Sequence, residues 1–336
     1  MSELPAIPEE NPADFDRIVE AARPAVFRGL VSGWPAVKAA SASAEEFRSY
    51  LLRYDGPVAV EAYVAPPEAE GRFFYSPNMD GFNFERGYMR MGEATSLMLA
   101  ERSKPRRNGI YVGSVPIAQV LPGFEAENEL RLVRGKPAQG RIWLGNETTV
   151  AAHWDASNNV ACVIAGRRRF TLFPPDQVSN LYVGPIDMTI SGPPSSLVDV
   201  RKPDFDRFPR YREALAHAVV AELEPGDAIY IPALWWHHVE ALSPFNALVN
   251  YWWEDAPPDA VAGAGLACIG HGLMTFSHLP RPQREAWRAF YDHYVFRLDG
   301  NPAEHIPEHA RGALGESSPS LRQSIRQFLV RVLSQR

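Results

Sequence analysis

Pro225-Gly226-Asp227-Ala228-Ile229-Tyr230-Ile231-Pro232-Ala233-Leu234-Trp235-Trp236-His237-His238-Val239 is the stretch on which the reading of this chain turns. Pro-Gly-Asp specifies a tight turn and Ala228–Ile231 a short apolar strand. Pro232 ends that strand, since proline has no N–H to give a ladder. The next strand opens on two tryptophans and two histidines. Upstream, His153-Trp154-Asp155 puts two ligand-type side chains at i and i+2. On a strand these share a face, so His153 and Asp155 can meet one ion while Trp154 points away.

A His-x-Asp triplet alone says little, since it arises by chance on the order of once per several hundred residues. Its weight comes from histidine at the start of a second strand in the same β-rich region. Two histidines and one carboxylate make the facial triad of non-haem iron oxygenases, which leaves three coordination positions free. Alternation does not choose between His237 and His238, because neighbours on a strand face opposite sides. His217, His271, His278, His293, His305 and His309 lack a comparable setting and read as surface or satisfied histidines.

Outward from these segments the chain is strand-like between Tyr111 and Trp253, most clearly at Arg141–Leu144, Val160–Ile164, Arg169–Phe173, Ala228–Ile231 and Ala247–Trp253. Gly, Pro, Asn and Asp punctuate the runs, which predicts a closed or sandwiched antiparallel fold. Gly184–Pro209 reads as a long proline-rich connection over the barrel. Asn11-Pro12-x-Asp14 reads as an N-cap with proline at N1, opening a helix through Ala22. Pro24–Leu30 predicts a strand, Ser43–Tyr54 a helix, and Val58–Val64 an alternating strand. After Pro257-Pro258, Arg284–Leu298 and Ser317–Gln335 read as helices, the second with an apolar stripe of Leu321, Ile325, Phe328, Leu329, Val332 and Leu333. The expected organisation is an α/β extension at 1–110 packing on a core at 111–256, then a helical region at 257–336.

Composition excludes several classes. The chain has 336 residues, 46% hydrophobic and 22% charged, with 30 prolines and a net charge of −6. That is globular and proline-punctuated, without the basic excess of a nucleic-acid binder. The acidic, proline-rich Met1–Asp14 does not resemble a secretory signal, and Ala260–Ile269 is too short and glycine-broken to span a bilayer. Cys162 and Cys268 are too few for a disulfide framework, so reduced thiols in the cytoplasm are expected.

His153-x-Asp155, Gly166–Asp176 (GRRRFTLFPPD), Gly226–Pro232, Trp235–His238 and Val249–Trp252 (VNYW) together resemble the cupin-like JmjC oxygenases, notably the asparaginyl hydroxylase of hypoxia-inducible factor and its bacterial relatives. Pro24–Pro35 resembles the opening of that family, so the likeness extends over most of residues 20–255. It implies a double-stranded β-helix (jelly roll) flanked by helices, Fe(II) on His153, Asp155 and His237, and 2-oxoglutarate as cosubstrate. The implied reaction is oxidative decarboxylation of 2-oxoglutarate coupled to hydroxylation of a C–H bond. Related halogenases lack the carboxylate that Asp155 supplies.

By the same resemblance Arg168 clamps the distal carboxylate of 2-oxoglutarate and Tyr111 assists, while Asn159 and Asn250 line the pocket. Tyr75 and Trp252 are implied to face the substrate. Two positions depart from the closest pattern. Arg168 stands where it has lysine, a suitable exchange because the planar fork can bind a carboxylate through two hydrogen bonds. Val150 replaces a threonine donor, leaving more of the binding to Arg168 and Tyr111. The expected substrate is a protein, peptide or small molecule. The resemblance also implies a homodimer through the C-terminal helices; an alternative is a monomer with the Leu321–Leu333 stripe folded back on the barrel. The competing functional reading is a non-catalytic metal- or ligand-binding cupin.

Overall fold

The structure, a computed structural model, describes residues 4–190, 192–257 and 265–334. Its strands are β1 (Ala25–Phe27), β2 (Val60–Ala65), β3 (Arg72–Phe73), β4 (Glu85–Met89), β5 (Gly109–Pro116), β6 (Gln139–Gly145), β7 (Thr149–Trp154), β8 (Asn158–Ala165), β9 (Arg168–Phe173), β10 (Val219–Leu223), β11 (Ala228–Ile231), β12 (Trp236–Ala241) and β13 (Asn246–Trp253). They form two sheets. The larger runs β1-β11-β8-β13-β6-β5-β2-β4 and the smaller β10-β9-β12-β7-β3. Every pairing is antiparallel except β3 with β7. This is the jelly-roll architecture of a cupin, with helices alongside.

Alternation in β8 explains the layering. Val160, Cys162 and Ile164 enter a large apolar cluster with Phe15, Phe27, Trp34, Phe47, Leu51, Met91 and Met98 from the N-terminal segments. Ala161 and Val163 point the other way, into a cluster with Phe170, Leu172, Leu223, Ile229, Ile231, Val239 and Leu248 drawn from both sheets. A strand covered on both faces reads as a near-continuous apolar run, and every residue of β8 is buried, with Asn158 and Asn159 at its start as its polar members.

Two glycines are required at turns that carry the chain from one sheet to the other. Gly166, between β8 and β9, has φ +70° and leaves no room for a Cβ beside Asn246 and the Phe245 carbonyl. Gly226 (φ +101°) makes the Pro-Gly-Asp turn ahead of β11. Asp227 then fastens this turn: Oδ1 accepts from the Gly29 N–H at 2.9 Å, and Oδ2 accepts from Arg28 Nη1 at 2.7 Å and the Glu224 N–H at 3.0 Å.

The helices form near their predicted positions. Ser43 caps Ala44–Leu52 by accepting from the Glu46 N–H at 3.0 Å. Asn11 caps Pro12–Asp14, which is a 3-10 turn rather than the start of one continuous helix; Phe15–Glu20 is the helical part. Val58 lies outside β2, and both faces of that strand are packed, Val60 and Ala62 on one and Tyr63 and Ala65 on the other.

The chain divides into two compact units, Met1–Glu254 and Asp255–Arg336. β2 and β4 complete the larger sheet, so residues before 110 share a unit with the barrel strands. The second unit contains Gly265–Phe276, Arg281–Tyr294 and Pro319–Leu333 as helices. Gln335 and the first half of the Ala260–Ile269 stretch lie outside the described residues. Among the described residues no helix is long and apolar enough to cross a membrane.

Candidate functional site

β7 and β12 are neighbours in the smaller sheet, with His237 paired directly to His153. Their rings lie 4.2 Å apart between centroids. Asp155 follows β7 on the same side as His153, its backbone carbonyl accepting from the Leu234 N–H at 2.7 Å. The ligand atoms of His153, Asp155 and His237 all fall within 4.8 Å of one another.

Each histidine is held in one orientation. His153 Nδ1 contacts the Ala151 carbonyl at 2.9 Å, and His237 Nδ1 the Trp235 carbonyl at 3.1 Å. A backbone acceptor at Nδ1 fixes the proton there and leaves Nε2 with its lone pair for a ligand. Burial lowers the His237 pKa to about 4, the neighbouring His153 adds to the fall, and Asp155 and the Trp235 carbonyl oppose it. The imidazole is therefore neutral at neutral pH, the form that binds metal.

Asp155 Oδ2 sits 3.5 Å from His237 Nε2. It is buried without a hydrogen-bond partner. A buried carboxylate oxygen without a donor is costly, and a cation between the three side chains would remove that cost. The donor set thus fits a first-row divalent metal with open positions.

The structure separates the two adjacent histidines. Against β9, His237 pairs with inward Leu172 and His238 with outward Thr171; against β7 the register shifts between His237 and Val239. His238 consequently lies on the outer face, 3.9 Å from Glu240 Oε1, with its Nδ1 buried and unpartnered.

The metal-ligand side chains open into a pocket also lined by Tyr111, Ser114, Trp143, Val150, Asn159, Arg168, Pro193, Asn250 and Trp252. Arg168 shares the inward face of β9 with Phe170 and is 3% exposed. Its Nε has no hydrogen-bond partner, and no carboxylate of the described residues forms an ion pair with it. Burial brings its pKa down from 12.5 to about 10, offset in part by Tyr111. A buried fork with no anion is the shape and charge of a carboxylate receptor. Tyr111 is buried near it, and desolvation raises its pKa. Val150 offers only an apolar wall at the departing position.

Asn159 points inward at the start of β8 with an unpartnered Oδ1. Asn250 accepts from Trp143 Nε1 at 2.8 Å. Trp252 packs edge-on against Trp143 at 5.8 Å. Tyr75 is not brought to this pocket: it is 4% exposed and its hydroxyl donates to the Met188 carbonyl at 2.9 Å. It instead lines a separate surface pocket with Arg72 and Phe74. Sequence reasoning missed Trp143, Ser114 and Pro193. Trp143 alternates with Ile142 and Leu144 within a recognised strand, and that periodicity was a usable signal. Ser114 reaches the pocket through a bulge, and Pro193 through the long connection, whose Ser195 bridges to His153; neither leaves a local signature.

The chain belongs to the cupin-like domain family, whose model matches residues 12–259. Among its relatives is the lysine-specific demethylase JMJ31 of Arabidopsis thaliana, 29% identical over 273 residues, covering 72% of this chain and 48% of the relative. Human HSPB1-associated protein 1 is 35% identical over 118 residues, or 34% of this chain and 24% of that protein. The tRNA wybutosine-synthesizing protein 4 of Neurospora crassa is 25% identical over 328 residues, 92% of this chain and 25% of the relative. The chain thus spans about half or less of the length of these relatives. The domain is of the cupin-like JmjC type.

Proposed function

We propose that this protein is an Fe(II)- and 2-oxoglutarate-dependent oxygenase that hydroxylates a protein, peptide or small-molecule substrate. The observation that carries the reading is the conjunction of two incomplete groups in one pocket: the His153–Asp155–His237 cluster with its orphaned carboxylate oxygen, and the buried, unpaired Arg168. One needs a cation and the other an anion, and a metal-chelating dicarboxylate answers both.

Bound iron would supply oxygen activation through the decarboxylation of 2-oxoglutarate. The chain's own residues do the rest. His153 and His237 present their Nε2 atoms, oriented by the backbone carbonyls at Nδ1, and Asp155 supplies the charge that neutralises part of the cation. Arg168 and Tyr111 hold the far end of the cosubstrate and so fix its direction. Val150, Phe170 and Leu248 wall the pocket with apolar surface that excludes water. Trp252 and Asn250 stand on the side from which a substrate approaches the metal-ligand cluster.

The unpaired Arg168 favours the oxygenase over a non-catalytic metal-binding cupin, since metal storage alone requires no buried anion receptor beside the cluster. Anaerobic addition of Fe(II) and 2-oxoglutarate should give a weak visible charge-transfer band that His153→Ala and Asp155→Ala abolish. No band and no succinate from the wild-type protein would sink the proposal. We further infer a cytoplasmic enzyme, in keeping with free Cys162 and Cys268, and a homodimer through the second unit, where Phe328, Val330 and Leu333 of the last helix remain exposed.

A further inference from the structure

We propose that Arg141 is a substrate-recognition residue that receives an oxyanion, a carboxylate or a phosphate, carried by the molecule to be oxidised. The inference rests on the oxygenase reading above and adds a chemical class to its substrate.

Face parity puts Arg141 on the pocket side. In β6 it lies two residues from pocket-lining Trp143, and across the sheet it pairs with pocket-lining Asn250. Residues two apart on a strand, and residues directly opposite on its neighbour, share a face. Arg141 therefore follows Trp143 along the inner wall and remains half-buried. Its guanidinium stands over the Trp252 ring, 5.3 Å from the centroid, so an aromatic face of the pocket supports it.

One half of the fork is spent and the other is not. Nη1 donates to the Ser114 carbonyl at 2.8 Å and to Ser114 Oγ at 3.2 Å. Nε and Nη2 make no hydrogen bond and are not buried, and no carboxylate of the described residues lies within ion-pair distance. The Nε–Nη2 edge is the one that binds carboxylates and phosphates through two parallel hydrogen bonds.

The anchor is itself strained. Ser114 has φ +55°, a left-handed conformation uncommon outside glycine, in the bulge where the β5–β6 register shifts between Val112 and Val115. Such conformations cluster where backbone strain serves a site. Here the strain aims a carbonyl and a hydroxyl at one arginine nitrogen, which fixes the fork with its open edge free. Arg168 takes the cosubstrate at one position of the inner wall, and Arg141 stands ready for a second anion at another.

The test uses tryptophan fluorescence of the full chain, reported by Trp143 and Trp252. The protein is loaded with Mn(II) and 2-oxoglutarate so that Arg168 is occupied, then titrated with inorganic phosphate in one arm and N-acetylglutamate in the other. A saturable change with at least one probe is expected, and the arm that responds names the oxyanion. Arg141→Gln should weaken that binding by at least about tenfold, the loss of hydrogen bonds to a charged group, with 2-oxoglutarate affinity within twofold of wild type. Arg141→Lys, which keeps the charge and removes the fork, should weaken the N-acetylglutamate arm more than the phosphate arm. If Arg141→Gln does not fold, Arg141→Lys decides. The proposal is overturned if neither probe binds the wild-type protein, or if both variants titrate like it. Should 2-oxoglutarate itself not bind, the oxygenase reading has failed instead; the same titration in an Arg168→Gln background, without metal, then still reads Arg141 separately.

Discussion

Replacing Arg168 by methionine should stabilise the metal-free protein and disable it at the same time. The guanidinium is 3% exposed, and its pKa falls from 12.5 to about 10, chiefly through burial. At pH 7 arginine is protonated in both folded and unfolded chains, so the depressed folded value measures what the fold gives up to hold the charge. At about 1.36 kcal/mol per tenfold, that is about 3 kcal/mol. Methionine keeps an unbranched stem against Phe170 and carries no charge, so the chemical-denaturation midpoint of the apo-protein should rise, by up to about 3 kcal/mol in stability. Binding moves the other way. A carboxylate brought into this pocket without the fork is buried unpaired, which costs about 3–5 kcal/mol, or roughly two to three and a half orders of magnitude in Kd. Anaerobic calorimetry of 2-oxoglutarate with the Mn(II)-loaded protein reads this directly. The reasoning is refuted if Arg168→Met binds 2-oxoglutarate within threefold of wild type. It is equally refuted if the apo-protein loses stability, for then the cation was already satisfied inside the fold.

Other outcomes follow from the same geometry. Asp227→Ala should cost about 3 kcal/mol, because it strips a buried acceptor from the Gly29 and Glu224 N–H groups and from Arg28; a urea midpoint unchanged from wild type would contradict this. The folded His237 pKa of about 4 lies below the ordinary 6.5, so between these values the unfolded chain binds more protons and stability rises with pH. Acidifying the metal-free protein from pH 6.5 to 4 should therefore remove about 3 kcal/mol through this residue, and His237→Gln should flatten that part of the pH–stability curve. His238→Ala should leave Mn(II) affinity within about threefold, whereas His237→Ala should abolish tight binding, as read by metal titration. Multi-angle light scattering should report a dimer for the full chain and a monomer when Phe328 and Val330 are both replaced by glutamate; an unchanged mass would exclude that helix as the interface.

Much of the fold was legible because strand periodicity is local. Ala228–Ile231 occurs at the predicted bounds, and β6, β8, β9 and β13 extend their predicted segments by one or two residues at an end. Ser43 and the proline-glycine turn mark their elements by side-chain chemistry that acts within a few residues. The helix expected across Asn11–Ala22 was legible only in part, since its cap specifies a start and not whether the first turn is α or 3-10.

Two of the three metal-ligand positions were the other half of what the sequence determined. His153 and Asp155 share a face because strands have a period of two, and no tertiary information is needed for that. The choice of His237 over His238 was different. It depends on which neighbour strand fixes the register and where β7 and β12 slip past one another, and a one-residue slip exchanges the two faces. Tyr75 shows the same limit: its burial beneath the Met188 carbonyl is set by a connection over a hundred residues away in the chain. The fork of Arg168 left without an anion, and that of Arg141 half-held by a bulged serine, also belong to the tertiary structure. Sequence fixes the period of each strand, but which charges meet across the pocket depends on contacts distant along the chain, and packing of the two sheets alone decides those.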